Sequence, residues 1–244
     1  DCAVGSAGLM RYAVAQATHH CAHRNAFGKA LIDQPLMTNV LADLCIESEA
    51  ATVLAMRMAR ACDDAVHDQA ALPFRRIAVA VGKYWICKSA VAHVGEALEC
   101  LGGNGFVEES GLPRLYRETP LNSIWEGSGN VNCLDVLRAL AKTPESLEAY
   151  FNEVELASDP RLKDLMGEIR GALGDTTEIE ARARRIVERM AIGLQASLLL
   201  RYGDAAVADA FCETRVAGGG GRAYGTLPSG IDFRRIVERH RPQL

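Results

Sequence analysis

Long runs of apolar residues at helical spacing dominate this sequence and constrain its fold more than any other feature. One run begins at Pro35, a residue that suits the first turn of a helix, and continues at helical spacing from Leu36 to Cys62. A second run extends from Ile77 to Leu98. No stretch shows the sustained alternation of apolar and polar residues that is typical of a strand. The sequence therefore predicts an all-α fold.

The first 142 residues are expected to form one long four-helix bundle. The polar residues between Asp63 and Ala71 predict a loop, and a loop with a short turn is predicted for Gly111 to Thr119. The glycines of L-G-G-N-G-F, residues 101–106, supply the stop of the third helix. The four helices are predicted over about residues 6–24, 35–62, 72–98 and 130–141.

Residues 143–244 are predicted to form a second helical unit that extends the bundle. A glycine run at Gly218 to Gly221 interrupts this unit and predicts a flexible connection. Its helices are expected near residues 144–156, 160–173, 178–202, 204–215 and 231–240.

Composition excludes several classes of protein. A net charge of −4 argues against a generally basic nucleic-acid binder. The eight cysteines include no C-x-x-C pair and mostly lie in apolar helical stretches, which favours buried free thiols in a reducing, cytoplasmic compartment. No run of about 20 apolar residues could span a membrane. His19 and His23 are spaced for a metal, with His20 between them, but no Cys or carboxylate completes such a site, so no metal is predicted.

The start of the chain carries a separate expectation. The sequence opens with Asp1 instead of Met and enters a helical pattern almost at once. We therefore expect it to be a piece of a longer protein.

The segment P-L-N-S-I-W-E-G-S-G-N-V-N, residues 120–132, contains the best candidate for a chemical group. Glu126 follows Trp125 in a glycine-containing loop just before a helix that Ser128 or Asn130 could cap. A carboxylate held beside an indole suits a base with a raised pKa. The alternative interpretation is an exposed glutamate in a connecting loop.

Three separate segments together resemble the C-terminal domain of acyl-CoA dehydrogenases. They are R-N-A-F-G at 24–28, E-C-L-G-G-N-G-F at 99–106 and R-L-Y-R-E…S-I-W-E-G-S-G-N at 114–130. The family typically shows R-x-x-F-G, Q-x-x-G-G-x-G and L-Y-R-D…I-Y-E-G-T in this order and at about these separations. The resemblance covers residues 1 to about 142. The spellings of the last segment, and the helical extension after it, are most similar to the AidB-type branch, flavoproteins of the bacterial response to DNA alkylation.

The resemblance assigns catalysis to Glu126. At this position the family has the base that removes the α-proton of an acyl-CoA, while FAD accepts the β-hydride. Gly127 would contact the substrate. A dry pocket beside Trp125 would raise the pKa of Glu126 towards the working range. Ser128, Gly129 and Asn130 would approach the nucleotide end of FAD, with Ser128 in place of the usual threonine.

The other implied FAD contacts come from two segments that often belong to a neighbouring subunit in this family. Arg24 would offer a forked donor to the pyrophosphate, and Glu99 stands where the family has glutamine. A carboxylate there would repel the pyrophosphate unless it faces a ribose hydroxyl or an arginine. Ala26 lacks a hydroxyl found in many relatives. The remaining implied contacts are Asn25, Phe27, Gln34, Cys100, Leu101, Gly102 and Gly103.

Simpler structural interpretations of these segments remain open at this stage. Arg24 could only close the first helix, favoured there by the helix dipole, and Phe27 could be an ordinary core residue. The Gly102–Gly105 run could be no more than a helix stop.

The resemblance leads to two functional hypotheses and a third for the extension alone. The first is the C-terminal part of an FAD-dependent acyl-CoA dehydrogenase, inactive as a fragment and assembled as a homotetramer. The second is a DNA-protective flavoprotein with vestigial dehydrogenase activity, whose extension binds duplex DNA. The third is an extension that serves only assembly. The candidate phosphate contacts are Arg182, Arg185, Arg189, Arg234, Arg235 and Arg239.

Overall fold

The computed structural model describes residues 1–242 and confirms the predicted all-α architecture. The bundle and the extension consist of consecutive α-helices joined by short turns. The helices are α1 (Cys2–His23), α2 (Pro35–His67), α3 (Leu72–Glu99), α4 (Gly103–Phe106), α5 (Leu112–Asn122), α6 (Gly129–Lys142), α7 (Glu145–Val154), α8 (Pro160–Gly174), α9 (Ile179–Tyr202), α10 (Ala205–Phe211) and α11 (Phe233–His240).

Helix α3 is the centre of the bundle. It packs against α1, α2, α5 and α6 on one side and against α7 and α9 of the extension on the other. Small buried residues on α1, such as Ala13 and Ala17, allow this close approach, and Ile77 and Val94 of α3 are completely buried. The four helices predicted for the bundle correspond to α1, α2, α3 and α6.

Three local predictions were wrong. Helix α2 continues to His67, so the polar stretch after Cys62 forms its last turns and a 3₁₀ turn at Gln69–Ala71 follows. Residues 112–122 form helix α5 instead of a loop, since Leu112 and Thr119 are buried on one face. A hairpin of two-residue strands, β1 (Asn25–Ala26) and β2 (Lys29–Ala30), follows α1. Each element is too short or too polar for hydrophobic periodicity to detect.

The extension packs directly on the bundle. Helix α9 lies against α2, α3 and α6, and buried apolar residues of both parts form one continuous core. Glu153 of α7 joins them electrostatically. Its carboxylate accepts hydrogen bonds from Arg57 Nη2 of α2 (2.7 Å) and from Arg201 Nη2 of α9 (2.6 Å).

The chain beyond α10 returns to the bundle through an irregular segment. A π-helical turn, Cys212–Val216, continues α10, and a glycine-rich loop follows. Two contacts attach this loop to α2. Leu227 N donates to Asn39 Oδ1 (3.2 Å), and Gly225 N donates to Asp43 Oδ2 (2.9 Å). Helix α11 then packs against α2.

Other predicted features can be located within residues 1–242. All eight cysteines are free thiols, and Cys62 is the exposed one. In this part of the chain no three metal-ligating side chains converge, and His19 and His23 stack on each other with ring centroids 4.3 Å apart. None of the described helices combines the length and apolarity needed to cross a membrane.

Candidate functional site

Glu126 lies in the short connection between α5 and α6, as predicted. Its backbone has a φ of 56°, and Gly127 follows with a φ of 99°. A non-glycine residue at positive φ is uncommon and costs on the order of 1 kcal/mol or more, so surrounding contacts must hold it there. Such strained backbone concentrates at functional sites.

Two side chains hold this loop through the carbonyl oxygen of Gly127. Lys83 Nζ of α3, an almost fully buried ammonium, donates to it. Asn132 Nδ2 of α6 donates to the same oxygen (2.6 Å) and to Ser128 O (2.9 Å). A side chain at position 127 would be strained by the positive φ and would lie tightly against Val131, whose Cγ1 would be 3.1 Å from an added Cβ. These contacts determine the position of the Glu126 backbone.

The expected dry pocket around Glu126 is not formed by the described part of the chain. The side chain of Glu126 is 53% exposed, and Trp125 is 57% exposed. Glu126 Oε1 lies 4.0 Å from the nitrogen of Asp1, beside the start of α1. Within residues 1–242 no element covers this loop, and the indole is exposed to solvent, so the enclosure that the resemblance implies stays a prediction.

The backbone N–H groups in the first turn of α6 have no side-chain cap and could donate to a hydrogen-bond acceptor. Ser128 is the N-cap residue, but neither its side chain nor that of Asn130 caps the helix, contrary to the prediction. Asn130 Oδ1 instead accepts a hydrogen bond from Arg184 Nε of α9 (2.8 Å). Gly129 is buried, and a Cβ there would lie 3.3 Å from both Arg184 Nη2 and the Tyr84 ring. Backbone N–H groups at a helix start, beside a guanidinium, suit a phosphate group.

The hairpin after α1 carries a second group of predicted residues. Arg24 ends α1, as the simpler interpretation held, and donates its N–H to His20 O. Its side chain is exposed and forms no ion pair with a described residue. Phe27, with a φ of 54°, is 96% exposed, which excludes the core interpretation. Gln34 Nε2 donates to Ala26 O (3.0 Å) and supports the hairpin, and Asn25 lies exposed in β1.

The end of α3 lies beside this hairpin. Cys21 Sγ of α1 approaches Cys100 O at 3.8 Å, so the two helices end side by side. Both cysteines are buried, and Leu101 packs partly on the core. Gly102 has a φ of 59°, and Gly105 is required because an added Cβ would lie 2.1 Å from Leu98 O. Glu99, Gly102 and Gly103 are exposed around this turn.

The predicted residues thus form two groups at opposite ends of α1. We call residues 126–130 the base loop, and the residues 24–27, 34 and 99–103 the hairpin end. Helix α1 has 22 residues, which corresponds to about 33 Å at 1.5 Å per residue. Glu126 lies beside its first residue and Arg24 directly follows its last, so one chain separates them by about 30 Å.

Five of the six arginines considered as DNA contacts are engaged within the chain. Arg182 pairs with Asp175, and Arg189 pairs with Glu168. Arg234 pairs with Asp33, Arg235 with Asp204, and Arg239 with Glu49. Arg185 alone of the six forms no ion pair with a described residue.

Sequence reasoning missed Lys83, Asn132 and Arg184. Lys83 belongs to a helical run with no motif of its own, Asn132 ends the segment 120–132 but received no role there, and Arg184 belongs to the extension. The signal that could have indicated Lys83 is its place within an apolar helical run. A lysine buried there needs a hydrogen-bond partner for its ammonium group. Arg184 gives no signal in the sequence, since its partner is 54 residues away.

The residues present are compatible with FAD at both groups. The open first turn of α6, next to Arg184, presents donors that fit a phosphate. At the hairpin end, an added Cβ at Gly102 or Gly103 would meet nothing within 4 Å, so the backbone is open to close approach. Arg24 adds an exposed forked donor.

Comparison with known proteins yields a consistent set of relatives. Residues 1–141 match the family model described as acyl-CoA dehydrogenase, C-terminal domain. AidB of Escherichia coli (strain K12) is 39% identical over 227 residues, which are 91% of this chain and 41% of AidB. The structure of Caenorhabditis elegans ACDH-11 in complex with C11-CoA superposes with a TM-score of 0.77 at 27% identity, covering 88% of this chain and 42% of that one. An acyl-CoA dehydrogenase from Bacillus anthracis, complexed with FAD, shares the fold with a TM-score of 0.69 at 16% identity, over 100% of this chain and 51% of that one. The chain spans less than half the length of its first two relatives.

Proposed function

Because this chain belongs to the acyl-CoA dehydrogenase family, we propose that it is the C-terminal part of an FAD-dependent enzyme that introduces an α,β double bond into an acyl-CoA. The observation that carries this proposal is the base loop. Glu126 holds the family's base position on a strained backbone that Lys83 and Asn132 anchor through Gly127 O. A rigid backbone of this kind is what a positioned base requires.

In this mechanism the carboxylate of Glu126 accepts the α-proton of the thioester. FAD, when bound, supplies the hydride acceptor. The carbonyl of Gly127 is occupied by its two donors, so the contact of Gly127 with substrate is assigned to its N–H. Covering the exposed Glu126 and Trp125 by another part of the protein would exclude water from the base.

The separation of the two groups supports an assembly in which neighbouring chains share each cofactor. The hairpin end lies about 30 Å from the base loop of its own chain, a distance set by the length of α1. Phe27 and Phe106, 96% and 80% exposed, present apolar surface there that contact with another chain would bury. We propose a homotetramer in which the base loop of one protomer and the hairpin end of another contact the same FAD.

We propose that the extension, residues 143–244, supports the base loop. Its helix α9 donates a hydrogen bond from Arg184 to Asn130 in the base loop. This contact favours a role in catalysis over one in DNA protection. We do not propose DNA binding, because carboxylates of the chain already neutralise five of the six candidate arginines.

The proposal is tested on the full-length protein. We expect purified protein to show a flavin spectrum that bleaches on anaerobic addition of an acyl-CoA. Glu126→Gln is expected to retain the flavin and to lower the bleaching rate by at least 1,000-fold, on the order of 4 kcal/mol of barrier. Glu109→Gln, an exposed glutamate outside the base loop, is the matched control and should bleach at the wild-type rate. Colourless protein that does not take up added FAD would contradict the cofactor assignment, and unchanged bleaching in Glu126→Gln would exclude this base.

A further inference from the structure

A cavity of about 450 Å³ lies between the bundle and the extension, and none of its lining residues belongs to either group of family residues. We call it the extension cavity. Helices α2, α3 and α9 form its walls, and the π-helical turn with the glycine-rich loop closes it. The lining residues that matter here are Asp43, Glu47, Trp85, Glu188, Arg215 and Tyr224. Its volume is within the range of small-molecule sites.

The most unusual group in this cavity is Glu47. It is 5% exposed, and its Oε2 accepts a weak hydrogen bond from Arg215 Nε (3.4 Å). Its other oxygen, Oε1, is buried and has no hydrogen-bond partner among the described residues. Protonation does not resolve this, because the hydroxyl of a neutral carboxyl would also need an acceptor. An unpaired buried carboxyl oxygen costs about 1–3 kcal/mol and calls for an explanation.

The guanidinium of Arg215, which faces Glu47, also contacts other groups. Arg215 Nη2 donates to Asp43 Oδ1, and Arg215 Nη1 donates to Thr214 Oγ1 (3.0 Å). Arg215 is therefore shared between the two carboxylates, with the closer contact to Asp43 and the longer ion pair, 3.4 Å, to Glu47. Burial raises the pKa of Glu47, and the charge of Arg215 opposes that rise.

A second carboxylate faces the same cavity. Glu188 of α9 forms no hydrogen bond or ion pair with a described residue, and burial raises its pKa. Its charge acts on Glu47, so the two groups are close enough to interact. Trp85 adds an aromatic wall, held by a hydrogen bond from Nε1 to Gln195 Oε1 (3.1 Å). Two arginines are also present: Arg189 is paired with Glu168, and Arg222 is exposed.

The backbone around the cavity is irregular where it meets these groups. Arg215 belongs to the π-helical turn, a rare conformation that often occurs at functional sites. Gly220 and Gly221 line the cavity, and the loop is attached through Gly225 N to Asp43. Asp43 thereby holds both Arg215 and the closing loop in place.

We propose that the extension cavity binds a small organic cation, a primary amine or a guanidinium compound. Its N–H groups would donate to Glu47 Oε1 and to Glu188, and its charge would lie near the Trp85 ring. Carboxylate oxygens without a hydrogen-bond partner and an indole are groups that recognise such cations. The lining residues of this cavity include none of the base loop and none of the hairpin end.

The test uses full-length protein carrying Trp125→Phe, so that Trp85 is the remaining indole within residues 1–244. Putrescine and agmatine are titrated while indole fluorescence and the thermal midpoint are followed, with butyrate as the probe of opposite charge. We expect saturable quenching and a raised midpoint with both cations and neither effect with butyrate. Wild-type protein checks that Trp125→Phe leaves the shift in midpoint unchanged.

Variants locate the binding site. Glu47→Gln and Glu188→Gln are each expected to weaken binding at least tenfold, and Glu168→Gln, on the outer side of Arg189, should bind as wild type does. If Glu47→Gln does not fold, Glu188→Gln decides the question. No saturable response to either cation, or the same affinity in Glu188→Gln as in wild type, would overturn the proposal.

Discussion

Arg184 Nε lies 2.8 Å from Asn130 Oδ1, so a helix of the extension is hydrogen-bonded directly to the loop that carries the candidate base. The guanidinium also lies against Gly129, where an added Cβ would be 3.3 Å from Nη2. Arg184 forms no ion pair with a described residue, so its charge remains available at the start of α6. This relationship distinguishes the chain from a bundle with an unrelated domain attached.

Replacing Arg184 should weaken FAD binding to the full-length protein. We expect Arg184→Ala to raise the Kd for FAD by about 10-fold, since a charge-assisted hydrogen bond contributes about 1.5–3 kcal/mol. The measurement is flavin fluorescence during titration of the apoprotein. Arg185→Ala, the exposed neighbour on the same helix, is the control and should leave the Kd unchanged. Equal effects of the two replacements would show that only the general charge of α9 matters.

Phe27 provides a test of the shared cofactor. Its side chain is 96% exposed, so Phe27→Ser should leave the unfolding free energy of the isolated chain within about 0.5 kcal/mol of wild type. In the full-length protein the same change should weaken both assembly and FAD retention, measured by light scattering and by absorbance. Leu156→Ser removes another exposed apolar side chain, 63% exposed, from the extension and serves as the control. An intact, fully loaded oligomer with Phe27→Ser would contradict the shared site.

The ion-pair network at Glu153 should determine how firmly the extension is attached. Burial raises the pKa of Glu153, but hydrogen bonds from Arg57 and Arg201 more than offset this and leave it lowered. Glu153→Ala leaves both guanidinium groups without their shared partner and should cost about 3–5 kcal/mol of unfolding free energy. Glu155→Ala, which breaks an exposed pair with Arg170, should cost about 0–1 kcal/mol. Urea unfolding of both variants gives the comparison, and similar losses would exclude a special role for Glu153.

His93 should make stability depend on pH below neutrality. Burial lowers the pKa of His93 to about 4, and its Nε2 contacts Leu44 O (2.9 Å). The unfolded chain, with a histidine pKa of about 6.5, binds the proton more readily, so stability is present above about pH 6.5 and is lost as pH falls towards 4. This single group should account for a loss on the order of 3 kcal/mol.

The measurement is urea unfolding between pH 7 and pH 4. His93→Gln keeps an N–H donor for Leu44 O but does not titrate, so its stability should fall less steeply over this interval. His67→Gln, an exposed histidine at the end of α2, is the control and should follow wild type. Parallel curves for His93→Gln and wild type would contradict the assignment.

Much of the bundle could be predicted from the sequence because long helices have a regular apolar period. The positions of α2 and α3 follow from Leu36–Cys62 and Ile77–Leu98, and the connection at Glu126 follows from its glycines. Helix α5 could not be predicted in this way, because its eleven residues are largely polar and burial of Leu112 and Thr119 depends on where α1 and α3 lie. Local pattern carries no information about such packing.

Some properties of the fold and the candidate site follow from the sequence, and others follow only from the packing of the helices. The sequence by itself determined the all-α architecture, the helix boundaries near the glycines and the identity of the base-loop residues, since these depend on local periodicity and residue type. Tertiary structure alone decided that Arg184 meets Asn130, that Lys83 holds Gly127 O and that Arg24 lies about 30 Å from Glu126. It also placed Glu47, Glu188 and Trp85 around one cavity. These relationships join residues far apart in the chain, so they arise only when the helices pack.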